Sequence, residues 1–168
     1  MNKIKIVIWI CILYIIQNVF YPIMSLSGIT PELLLGFAVS YAAMERNYKK
    51  SSYVIIICAL LSGTGIGRVF PISVIMTGAA GVCAYMVCDY LRFIPRIIRV
   101  QTVASVFVFI MCCCEYFAAT KTVTYSFLTD TALWYTVYTT LASYVIYLIL
   151  KKTMGGPDKK LLITQERD

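Results

Sequence analysis

The sequence contains no histidine. That removes the commonest general base and the commonest metal ligand together. With it go the Ser–His and Cys–His nucleophile pairs and the Cys/His zinc sites. Acids are scarce too: eight Asp and Glu stand against fifteen Lys and Arg in 168 residues, and no pair of carboxylates is spaced for acid–base work. Charged residues are only 14% of the chain and hydrophobic residues are 60%. Soluble domains run to ~25% charged and ~45–50% apolar. A chain of one-domain length with this composition cannot hide its apolar surface from water. The expected solvent is therefore a bilayer, and the expected protein is not an enzyme and needs no cofactor and no metal.

The seven cysteines do not change this reading. Cys11, Cys58, Cys83, Cys88 and the run Cys112-Cys113-Cys114 all lie inside apolar stretches without CxxC spacing. They read as small buried hydrophobes rather than as metal ligands or a disulfide framework. The net charge of +7 is gathered in short clusters between apolar runs. That is unlike the continuous basic stripe of a nucleic-acid-binding surface, so nucleic acid is not an expected partner. The run from Ile4 to Phe20 is longer than a signal-peptide core and no A-x-A site follows it, so it is expected to be a retained first span.

Six apolar runs are present, and a spanning helix needs about 20 residues. The expected spans are Ile4 to Ile23, Thr30 to Met44, Tyr53 to Ile66, Ile72 to Leu91, Ile97 to Ala118 and Ala132 to Leu150. Turn residues separate them: Pro22 and Gly28, Pro31, Gly63-Gly65-Gly67 with Pro71, Pro95, and Gly155-Gly156-Pro157. Spans two and three are short enough for a re-entrant hairpin. However, Glu45, Arg46, Lys49 and Lys50 at their joint would then sit at mid-membrane, at several kcal/mol for each unpaired charge. The joint must reach water, so both segments are expected to cross.

Basic residues give the orientation. With the N-terminus inside, thirteen of the fifteen Lys and Arg fall in inner segments, and only Arg68 and Lys121 fall outside. Six transmembrane helices with both ends inside separate the charges in this way, whereas an odd number mixes them. The expected fold is an all-α, multi-pass plasma-membrane protein: a six-helix domain over residues 1–150 and a basic inner tail over residues 151–168. Lys151-Lys152 and Lys159-Lys160 of that tail are candidates for lipid-headgroup contact.

A few polar residues stand out. Glu115, one turn from the outer end of span five, is a candidate for pairing with Arg68 or Lys121. Asp89 has Arg92 and Arg96 close by for a local pair. Glu32 and Asp130 open spans two and six, where the helix dipole favours acids as caps. Gln17 within span one is expected to make an interhelical hydrogen bond. Gly78, Ala79, Gly81 and Ala84 give span four a small-residue face for close helix packing. Gly63-Thr64-Gly65-Ile66-Gly67 lacks the lysine and α/β context of a phosphate loop and reads as a turn.

Gln17-Asn18 near the end of span one, then Gly28-Ile29-Thr30-Pro31-Glu32-Leu33-Leu34-Leu35 opening span two, make the chain resemble the MreD family of bacterial rod-shape-determining membrane proteins. The residue-level likeness runs from Gln17 to Leu35, and the six-span layout extends it as an architecture. The family's glycine-rich third span commonly leads to an acid. Here that stretch reads Cys58-Ala59-Leu60-Leu61-Ser62-Gly63-Thr64-Gly65, without one. The resemblance implies a non-catalytic scaffold of the elongasome, which builds lateral cell wall and maintains cell shape. The implied partners are an MreC-like single-pass protein and, indirectly, MreB filaments, RodA and a class B penicillin-binding protein. Gln17, Pro31, Glu32, Arg68 and Glu115 become candidate partner-contact or structural residues, with the outer face around Pro31, Glu32 and Arg68, or the surface of span one, toward the partner. The family is similar in shape to the substrate-binding S-components of energy-coupling-factor (ECF) vitamin transporters, which is the alternative reading. Glu32, Arg68, Glu115 and Asp130 would then line an outer pocket. Span one here contains no Ala or Gly for the close docking such components use.

Overall fold

A computed structural model describes residues 3–19, 31–45, 47–64, 69–91, 93–122 and 124–153, and these form six helices. They are α1 (Lys3–Val19), α2 (Leu33–Met44), α3 (Tyr48–Gly63), α4 (Phe70–Tyr90), α5 (Arg96–Thr120) and α6 (Tyr125–Thr153), the last carrying a π-helical turn at Leu128–Ala132. Among the described residues there is no strand. Three helices, α4, α5 and α6, are long and apolar enough to cross a membrane; α1 and α2 are apolar but shorter.

α2 is the axis of the bundle. It touches every other helix, and all twelve of its residues are buried. Its apolarity is therefore all-round rather than amphipathic, as expected of a helix enclosed by protein. Twelve residues span about 18 Å, well short of a bilayer core. A helix enclosed on all sides does not have to match the lipid thickness, because protein and not hydrocarbon surrounds its ends. Phe37 and Tyr41 stack along it, ring centroids 6.0 Å apart at 17°.

The other helices wrap α2 in the order α1, α3, α4, α5, α6. Direction alternates along the chain, as the cross-helix bonds show. Tyr14 late in α1 meets Thr64 at the end of α3. Ser73 early in α4 meets Glu115 late in α5. At the opposite end, Arg99 early in α5 reaches the carbonyl of Cys88 late in α4, and Tyr48 at the start of α3 packs edge-on against Tyr85. This opposite end collects Lys5, Lys49, Lys50, Arg96, Arg99, Lys151 and Lys152.

Two close crossings depend on glycine. A Cβ on Gly36 of α2 would fall 2.8 Å from Ser143 Cβ and 3.1 Å from its Cα on α6. A Cβ on Gly81 of α4 would fall 2.7 Å from Ile55 of α3. With Ser73, Thr77, Ala80 and Ala84, Gly81 forms the buried stripe of α4. The small-residue face expected from Gly78 to Ala84 is thus present, although Gly78 itself has only Ala59 Cβ nearby, at 3.9 Å.

Two helix starts differ from expectation by five residues or more. α3 begins at Tyr48, not Tyr53, because the Asn47 side chain caps it by accepting from Lys50 N at 3.3 Å. The sixth helix begins at Tyr125, not Ala132. Thr124 accepts from Phe127 N at 3.4 Å, and the Phe127 ring stacks on Tyr116 with centroids 3.6 Å apart. The polar run Thr124 to Thr131 reads as a loop, but a capped turn anchored by one buried aromatic holds it helical. The turns at Pro22, Gly28 and Gly65–Gly67, the proposed partner Arg92 of Asp89, and the tail beyond residue 153 lie outside the described residues.

Candidate functional site

A polar joint is buried where α1, α2 and α6 meet. Gln17 lies on the inward stripe of α1 with Ile6, Ile10 and Leu13, a spacing that puts all four on one helical face. Its amide bridges two groups of the next helix: Nε2 donates to Glu32 Oε2 at 3.2 Å, and Oε1 accepts from Leu34 N at 3.1 Å. The interhelical bond expected of Gln17 is therefore a two-pronged one. Leu34 N is among the first N–H groups of α2, which have no partner inside the helix, so Gln17 acts as a cap supplied from another helix.

Glu32 is 1% exposed. Its Oε1 accepts from the Tyr135 hydroxyl at 3.0 Å, and its backbone N–H donates to Thr139 Oγ1 at 3.2 Å. Its backbone carbonyl accepts from Gly36 N and starts the helical ladder. Glu32 stands at the N-cap of α2, the position expected of it. The Glu32 side chain makes no capping bond to α2 and instead turns inward to tie α1 and α6 together. Pro31 is also buried, just before the helix, with its carbonyl accepting from Leu33 N at 3.1 Å. Pro31 and Glu32 are thus both buried, and a carboxylate so enclosed needs hydrogen-bond donors around it, which here come from this chain.

The remaining candidates lie elsewhere. Glu115 is half-buried and accepts from Ser73 Oγ at 2.6 Å, joining α5 to α4. Arg68 lies outside the described residues. Asp130 is exposed within the π-helical turn, accepts from Thr129 Oγ1 at 3.0 Å and does not open the helix. Within the described residues, Gln17, Pro31 and Glu32 form one site and Glu115 a separate bridge.

Sequence reasoning missed Tyr135 and Thr139. Their spacing of four on an apolar helix is the signal that places both on one face. It also missed two hydroxyl seams. Ser62 and Thr77 bond at 3.0 Å between α3 and α4. Between α5 and α6, Ser105 and Thr140 bond at 2.9 Å, and Ser143 bonds the Gln101 amide at 3.0 Å.

No family model, curated protein or solved structure matches the chain.

The arrangement is that of a fastener. Each Glu32 oxygen already receives a donor from a neighbouring helix, and the group is closed to solvent. The Glu32 carboxylate is thus engaged within the bundle.

Proposed function

We propose that this protein is a non-catalytic scaffold in the plasma membrane, crossing it six times with both ends in the cytoplasm, and that it serves the machinery of lateral cell-wall synthesis that maintains rod shape. The observation that carries the reading is the Gln17–Glu32–Tyr135 joint. The two side chains at the centre of the MreD resemblance are the ones that lock α1 and α6 onto the buried axis helix. A motif that closes a bundle on itself suits a protein whose work is to hold a shape for others.

The surface of α1 supports the same reading. Ile4, Val7, Ile8, Ile12, Ile15 and Val19 are exposed, while the helix packs on α2 and α3 through a narrow stripe. A bilayer accommodates such a face, and so does the single transmembrane helix of an MreC-like partner. Indirect association with MreB, RodA and a class B penicillin-binding protein follows from that contact.

The test is depletion in the rod-shaped cell that carries the gene. Rounding and widening are expected. Normal shape with a growth defect relieved by a single vitamin would replace this reading with that of an ECF-type S-component.

A further inference from the structure

The basic end of the bundle holds a cavity of about 950 Å³ where the end of α2, the end of α4, the start of α5 and the end of α6 converge. Arg96, Arg99 and Lys151 line it, with Tyr85, Phe93 and Tyr147 among its aromatic walls. Arg99 is only 7% exposed. Its Nη1 donates to the Cys88 carbonyl at 2.6 Å, and its Nε, like that of Arg96, is buried without a hydrogen-bond partner among the described residues. Two acids share the wall. Glu45 accepts from the Tyr41 hydroxyl at 3.3 Å and from Asn47 N at 3.2 Å. Asp89 is exposed and has a partner of its own.

A guanidinium nine-tenths buried is costly unless an anion answers it. The positive end of the 25-residue helix α5 opens at the same place: Pro95 and Arg96 line the cavity, and Pro95 provides no side-chain cap. Helix N-termini favour anions, and the arginine fork matches phosphate oxygens in pairs. We propose that this cavity binds a phosphate group, held by Arg96, Arg99 and Lys151 against the start of α5. The phosphate can belong to an anionic lipid headgroup or to a soluble molecule.

The test uses the purified full chain in neutral detergent micelles, with thermal unfolding followed against added phosphatidylglycerol, phosphatidylcholine or inorganic pyrophosphate. Stabilisation of about 4 °C at saturating probe is expected. Phosphatidylglycerol acting alone assigns the site to a lipid headgroup, and pyrophosphate acting assigns it to a soluble phosphate; either supports the proposal. Arg99→Gln should lower the apparent affinity about tenfold. Because Arg99 is buried, Arg96→Gln provides a second variant with the same expectation, and Lys50→Gln, an exposed lysine outside the cavity, should leave affinity unchanged. The proposal is overturned if neither probe stabilises the protein, if phosphatidylcholine does so equally, or if Lys50→Gln weakens binding as much as the cavity variants.

Discussion

Gln17 and Glu32 are joined by a 3.2 Å hydrogen bond across 15 positions of sequence, between the last turn of α1 and the residue preceding α2. The relationship matters because α2 is the helix around which the other five pack. α1 meets only α2 and α3 among the described helices, so this bond and its companion to Leu34 N are its principal polar attachments to the axis. In a membrane, helices gain little from hydrophobic segregation, and close packing and interhelical hydrogen bonds take its place.

Replacing Gln17 with Leu removes the partner of Leu34 N and one donor to a buried carboxylate. A loss of ~2–4 kcal/mol is expected, read as reversible unfolding of the full chain in micelles. Tyr135→Phe removes one donor and should cost ~1–2 kcal/mol. The pair should couple by more than ~0.5 kcal/mol, because both act on the same carboxylate. Additive effects would mean that the joint does not act as a unit.

Gly36 and Gly78 should respond oppositely to alanine. At Gly36 the new methyl meets Ser143 Cβ at 2.8 Å and its backbone Cα at 3.1 Å, an overpacking cost of ~1–3 kcal/mol. At Gly78 the nearest atom is Ala59 Cβ at 3.9 Å, and the better helix propensity should make the change neutral or stabilising by up to ~1 kcal/mol. Unfolding midpoints of the two variants, compared side by side, check the α2–α6 crossing directly.

Phe127 anchors the start of α6 by stacking on Tyr116 at 10° between ring planes. Phe127→Ala should accelerate amide hydrogen exchange across Leu128–Ala132 at least tenfold, an opening cost of about 1.4 kcal/mol. Exchange along Leu133–Thr153 should change little. Equal acceleration over the whole helix would show that the anchor holds more than its own turn.

The helical class and the places of the apolar helices were legible from hydrophobic run length alone, because each run is bounded by charge or turn chemistry. Gln17 was legible as an interhelical donor, since an amide within an oily run must find a partner. The role of Glu32 was not. An acid just before a helix has the sequence pattern of a cap, and only the neighbouring helices show that Gln17 and Tyr135 draw its side chain inward. The centrality of α2 was hidden for a related reason. Its short length suggests a marginal span, whereas burial on every side comes from five other helices and has no local signature. Nor does run length reveal that Arg99 is buried; its inner-end position alone predicts a solvated cation.

With helices alternating in direction, the basic end of the bundle is expected to face the cytoplasm. The most direct measurement places a compartment-sensitive reporter at two positions in intact cells, one within the exposed turn at Ser126 and one after Lys152. The expected result is an external signal at Ser126 and a cytoplasmic signal after Lys152. The reverse pattern, or both reporters on one side, would contradict it.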